Sequence, residues 1–286
     1  DIPSDQVSRG LRFYGDTAGR DRVPMDEMGH GSGTAGILGA RGRRTPPGLA
    51  GEARILPIRA LAGAVVTGRR EPTAIGGLPD IDTAVKLAVD LGAKVLNLSF
   101  GTPESALDED DPLPHAEVVS YALARGCILV AASGNSSDWT RYTPACLPGV
   151  IAVGSVGLDA KPSTFTTRGE HVDLSAPGER IHCPAVVGYR ENTGTSFAAP
   201  FVAAASALAV SRAAGYSTAL SAPQVRDALV RTVKPFDSGV DAAGCGAGVL
   251  DVPNMLRALD AELATTPDQT SRHREEVIAD PVAAGG

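Results

Sequence analysis

Apolar positions along this chain fall into two patterns that alternate with each other. Residues 53–61 (ARILPIRAL), 94–100 (KVLNLSF), 127–132 (CILVAA) and 150–156 (VIAVGSV) are short, nearly continuous apolar runs and predict buried strands. Between them lie helical periods. Ile81, Ala84, Val85, Ala88 and Leu91 share one face of a helix that Gly92 can cap, and a second helix over 116–125 stops at Gly126. Strand, helix, strand, helix with apolar strands predicts an α/β fold: a mainly parallel sheet with helices on both faces, in three layers.

The C-terminal third turns helical. Residues 196–214 are rich in Ala and Val, with Pro200 in the early turns and Gly215 at the end. Ser221 and Gln224 match a capping box, with Pro223 in the first turn of another helix. From 264 to 286 the apolar period is lost, which predicts a linker or loose tail after a domain spanning 1–263. The segment 63–80 and the acidic run 108–111 are expected as surface loops.

Composition narrows the classes. The 286 residues suit one large α/β domain, and the 43% apolar content argues against wholesale disorder. Aromatics are only 4% while glycines number 33, so the core is expected to be built from small aliphatic side chains. A net charge of −7 disfavours a nucleic-acid or anionic-membrane partner. No apolar stretch reaches the roughly 18 residues of a membrane span. The first residues show no signal peptide, and a chain beginning without Met reads as a mature or excised domain. Cys127, Cys146, Cys183 and Cys245 form no CxxC pair, so zinc is not expected. They permit either two disulfides or four buried thiols.

Three segments carry chemistry. His30 lies between glycines ahead of an apolar helical pattern, which can place an imidazole at a helix start facing a cleft. Ser196 leads directly into the Ala-rich helix; such a serine either caps the helix or acts as a nucleophile. Asn135 follows a buried strand as Gly-Asn, either a plain turn or an amide donor at a strand's C-terminal end, where open α/β sheets hold their ligands.

Taken together, in this order and on these elements, the segments resemble the subtilisin-like serine proteases. HGSGTAG at 30–36 matches the family's histidine motif, GTSFAAP at 194–200 its serine motif, and AASGN at 131–135 its oxyanion-asparagine motif. Supporting matches are VLNLSFG at 95–101, PGVIAVGSV at 148–156, SAPG at 175–178 and GCGAGVLD at 244–251. The resemblance implies a serine endopeptidase acting on polypeptides, with Ser196 as nucleophile, His30 as general base and Asn135 in the oxyanion hole. It also implies substrate pairing with Ser99, Phe100 and Gly101, and a pocket wall at Ala132, Ser133 and Gly134. Serine needs such a base because its hydroxyl is a weak nucleophile at neutral pH. No cofactor is required, calcium is possible as a structural ion, and a secreted monomer is expected.

The third member of the triad matches less well. The family places its aspartate at the end of an apolar strand upstream of the histidine, in a DTG or DSG motif. Asp1 stands at a suitable separation from His30, as the last residue of a strand that is otherwise missing, and is the expected triad aspartate. Asp5 and Asp16 (in DTA) are the other candidates in this sequence, and an aspartate upstream of it, or none at all, is the remaining alternative. Gly33 replaces a histidine common in the family's motif, and Asp26 and Glu27 are expected in a solvated loop. A degenerate or truncated subtilase that binds peptides without cutting them is the alternative. A non-proteolytic esterase would be expected to carry a Gly-x-Ser-x-Gly elbow, which Ser196 lacks.

Overall fold

The computed structural model describes residues 1–12, 25–64, 73–108 and 110–265. Its centre is a four-stranded, all-parallel sheet in the order β10-β9-β7-β5, made of β5 (Val95–Leu98), β7 (Ile128–Ala132), β9 (Val150–Val156) and β10 (Val172–Pro177). Alternate residues of a strand face opposite sides, and the two apolar cores divide accordingly. Ile128, Val130, Ile151 and Val153 point into one core; Leu129, Ala131, Val150 and Ala152 point into the other. This is why these strands read as unbroken apolar runs.

The first core is covered by α4 (Thr195–Gly215), α5 (Ala222–Arg231) and α6 (Val252–Thr265), the second by α2 (Leu78–Asp90) and α3 (Ala116–Ala124). Helices on both faces of a parallel sheet give the expected three-layer α/β fold. The remaining elements are the helix α1 (His30–Gly39), a 3₁₀ turn at Glu104–Ala106 and small two-stranded pairs. β1 (Leu11–Arg12) pairs in parallel with β2 (Ile58–Arg59), and β3 (Ala62–Ala64) pairs antiparallel with β4 (Thr73–Ile75). β6 (Thr102–Pro103) pairs with β8 (Tyr142–Thr143), and β11 (Ile181–Pro184) with β12 (Tyr189–Asn192), both antiparallel.

α4 has Ala, Val and Phe on nearly every face, and by length and composition it could cross a membrane. Here it is the core helix: 61% of its most apolar window is buried against the sheet and α6. The capping box at Ser221 and Gln224 opens α5 as expected. Several expectations are corrected. Of the run 53–61 only Ile58 and Arg59 form a strand, plus a single bridge from Ile55 to Val7. Of the segment 63–80, residues 65–72 lie outside the described residues, and the rest holds the end of β3, β4 and the start of α2 rather than loop alone. α6 continues to Thr265, just past the predicted domain end; the expected tail from 266 onward lies outside the described residues. All four cysteines are free and buried, so the thiol alternative holds over the disulfides.

Candidate active site

α1 and α4 pack together and bring His30 beside Phe197, the residue after Ser196. Both helices start with glycine in a conformation that L side chains rarely adopt: Gly29 at φ 75° and Gly194 at φ 147°. Neither can supply a capping side chain, so the first N–H groups of each helix need acceptors from elsewhere.

For α1 the acceptor is Asp26. Its Oδ1 accepts the N–H groups of Met28 (3.0 Å) and Gly29 (2.8 Å), and its Oδ2 accepts that of Ser32 (2.7 Å). Burial pushes the Asp26 carboxyl up, but these donors outweigh it and hold the group below the usual carboxylate range. Asp26 is thus the anchor of the His30 turn, not a solvated loop residue. Its neighbour Glu27 is exposed and pairs with Arg59 at 2.7 Å. The signal in the sequence is a carboxylate three residues before a capless glycine.

For α4 the acceptor is Asn135. Its Oδ1 accepts from the Thr195 N–H (2.9 Å) and the Thr195 hydroxyl (3.0 Å), and the Gly134 N–H donates to that same hydroxyl (3.2 Å). With its oxygen fixed on Thr195, the Asn135 amide nitrogen is left as a donor beside Gly194, in the turn that presents Ser196.

Pro200 explains another contact. Proline has no N–H, so the Ser196 carbonyl four residues earlier loses its helical partner. The Ser99 hydroxyl donates to it instead at 2.8 Å. In return the Ser196 hydroxyl donates to the Ser99 carbonyl at 3.3 Å. The end of β5 and the head of α4 are therefore laced together at the C-terminal edge of the sheet.

His30 is the first residue of α1, and its ring lies 5.2 Å, centroid to centroid, from that of Phe197, the residue after Ser196. Burial pushes the imidazole pKa down; the Asp26 charge opposes this and the Arg190 charge adds to it. Arg190 reaches over from β12, where its Nη2 donates to the Met28 carbonyl at 2.9 Å. Gly33 and Gly36, on the same side of α1, face β11. A Cβ on Gly33 would lie 3.0 Å from the Cys183 Sγ and 3.1 Å from the Phe197 ring, and one on Gly36 would lie 2.3 Å from Pro184 Cδ. The histidine common at the Gly33 position therefore has no room in this chain.

The other predicted residues divide. Gly101 is exposed and Phe100 packs edge-on against His115, centroids 5.7 Å apart. Ala132 joins the core under α4, and Ser133 is fully buried with its hydroxyl on the Thr167 carbonyl (3.2 Å). Both can offer a peptide only their backbone. Asp1 is not brought to His30. Its carboxylate accepts from the Arg44 N–H (3.1 Å) and from the Thr45 N–H (3.2 Å) and hydroxyl (3.1 Å), and its carbonyl accepts the Arg41 N–H (2.8 Å). These residues follow the C-terminal end of α1, whereas His30 starts it, and a ten-residue helix separates the two ends by about 14 Å. The expectation for Asp1 fails because the distant 41–45 loop claims its carboxylate. Asp5 is exposed, and Asp16 lies outside the described residues. Among the described residues, no carboxylate hydrogen-bonds to His30, and no three His, Cys, Asp or Glu side chains cluster as metal ligands.

A three-layer α/β domain that seats a helix-borne histidine and a helix-capped serine at the C-terminal edge of its sheet has the architecture of a serine hydrolase. The chain belongs to the subtilase family, whose model matches residues 8–248, and is a serine endopeptidase of that family. The major intracellular serine protease of Bacillus subtilis (strain 168) is 33% identical over 260 residues, covering 88% of this chain and 77% of that protein. Thermitase of Thermoactinomyces vulgaris is 31% identical over 222 residues, covering 76% of this chain and 71% of that protein. Among solved structures, a mutant of the protease domain of PatA aligns with a TM-score of 0.73 at 25% identity, covering 91% of this chain and 90% of that one. The relatives include intracellular, cell wall-associated and extracellular proteases, so the family alone does not carry the expectation of secretion.

Proposed function

We propose that the chain hydrolyses peptide bonds through an acyl-enzyme on Ser196, acting as a monomer on polypeptides. An extended peptide pairs with the backbone of Ser99–Gly101 and lays its scissile carbonyl over Ser196. The Ser196 hydroxyl turns from the Ser99 carbonyl to His30, which takes its proton as the oxygen attacks. The carbonyl oxygen, now negative, accepts from the Asn135 amide and the Ser196 backbone N–H. His30 then gives the proton to the leaving amine. A water molecule, deprotonated by His30, attacks the ester, and collapse of the second tetrahedral intermediate returns the proton to Ser196. Every proton stays between side chain, substrate and water, so the reaction needs no cofactor. The observation that supports this reading is the double lacing of Ser196 to Ser99 and of Thr195 to Asn135, which holds the Ser196 and Asn135 side chains at one edge of the sheet.

A second reading, a degenerate subtilase that binds peptides with little turnover, draws on one observation: among the described residues no carboxylate hydrogen-bonds to His30. In a serine protease, disabling the aspartate beside the histidine lowers kcat by about 10⁴ while the geometry persists. Incubating the chain and its Ser196→Ala variant with an unfolded protein near pH 8 separates the readings. Cleavage by the parent alone, at rates ordinary for a protease, supports the first. Peptide binding with turnover about 10⁴-fold below such rates supports the second.

A further inference from the structure

We propose that Tyr142 forms the floor of the pocket for the residue before the cut, and restricts this enzyme to small side chains there. The inference rests on Ser196 being the nucleophile. β5 and β7 stay paired up to Leu98 and Ala131, and past the sheet the two chains run on to Gly101 and Gly134, both of which abut the Tyr142 side chain. Both segments meet the turn that presents the serine, one through the Ser99–Ser196 hydrogen bonds and the other through those of Gly134 and Asn135 with Thr195. The gap between them is where a peptide paired with Ser99–Gly101 turns its side chain inward.

The Tyr142 side chain fills that gap. A Cβ on Gly134 would lie 2.6 Å from its Cδ2 and 2.7 Å from its Cε2; one on Gly101 would lie 3.3 Å from its Cβ and 3.4 Å from its Cδ1. The ring is held from behind. Tyr142 pairs with Pro103 across β6 and β8, its carbonyl accepts the Cys146 N–H (2.9 Å), and the neighbouring Arg141 carbonyl accepts the Glu104 N–H (2.8 Å). On the remaining side the Thr167 hydroxyl oxygen would be 2.7 Å from that same Cβ on Gly134. Glycine on both walls and a ring between them leave a shallow slot, deep enough for Ala or Ser and blocked to Phe or Leu.

The test uses two peptide anilides that differ only in Ala or Phe before the scissile bond. The parent is expected to favour Ala by about tenfold or more in kcat/KM, since even a single methylene changes discrimination by about 10- to 200-fold. Tyr142→Ala is expected to reverse the ranking, and Tyr142→Phe to keep it, because the ring and not its hydroxyl fills the slot. A parent that prefers Phe, or a Tyr142→Ala variant that folds and leaves the ranking unchanged, overturns the proposal. If Tyr142→Ala does not fold, the parent's own ranking decides. If the parent turns over neither anilide, the nucleophile reading has failed. The floor is then judged from the Kd values of the two peptides: tighter binding of the Ala peptide supports it, and equal or reversed affinities overturn it.

Discussion

Replacing Asn135 by Asp separates what its oxygen does from what its nitrogen does. The oxygen caps α4 through the Thr195 N–H and hydroxyl; the nitrogen is the proposed oxyanion donor. Asp keeps an acceptor for both Thr195 groups and removes the donor, so Tm should stay within a degree or two of the parent. Loss of one such donor costs about 10²–10³ in kcat, or about 2.7–4 kcal/mol, a magnitude established for subtilisin itself. The added negative charge beside a developing oxyanion pushes the loss toward the upper end. KM should change little, because the interaction forms only in the transition state. Asn135→Leu should lose kcat similarly and also stability, by about 1–3 kcal/mol, since two hydrogen bonds of about 0.5–1.5 kcal/mol each disappear. Steady-state kinetics on a peptide anilide and thermal melts of the three proteins give the answer. An Asn135→Asp variant that keeps more than about a tenth of the parent kcat would refute the oxyanion role.

Other consequences are open to direct measurement. His30 must be neutral to accept a proton, and burial holds its pKa below the usual value, so the acidic limb of kcat/KM against pH should lie below about 6.5. Arg190→Gln removes a nearby positive charge and should move that limb to higher pH; a limb that stays put would contradict the assigned cause. Gly36→Ala brings a methyl to 2.3 Å from Pro184 Cδ and should destabilise by about 1–3 kcal/mol, despite alanine's better helix propensity, as read by urea denaturation. Removing Arg226 strips the charge partner from the buried Asp173, whose other oxygen accepts the Ala152 N–H (2.9 Å). Because the guanidinium is half exposed, Arg226→Leu should cost about 2 kcal/mol, less than for a fully buried pair. The thiols should resist alkylation in the folded chain and all four should react once it is denatured, with no prior reductant.

Much of this arrangement is legible in the residues. β7 and β9 are fully buried on both faces and so read as apolar runs, while α2 and α5 carry clear periods or caps. Ser196, His30 and Asn135 stand out because each sits at the junction of an apolar element and a glycine. What is missed depends on partners distant in sequence. β10 contains Asp173 and Ser175, which look unlike a buried strand until Arg226 and the Cys245 carbonyl are brought to them. α6 buries Met255, Leu259 and Leu263 at a proper helical spacing, but its many polar residues and its position after the last motif concealed it. Asp26 looks solvated because the three N–H groups it gathers become neighbours only when Gly29 turns the chain. Asp1 fails for the opposite reason: separation along the sequence suits the triad, and the length of α1 forbids it.

The central claim is that Ser196 is a nucleophile made reactive by His30. A fluorophosphonate probe tests it without knowledge of the natural substrate, since an activated serine displaces fluoride and keeps the phosphonyl group. Intact mass followed by peptide mapping should show one adduct, on Ser196, absent from Ser196→Ala and strongly slowed in His30→Ala. No adduct on a folded parent chain, or an adduct on another residue, would contradict the account.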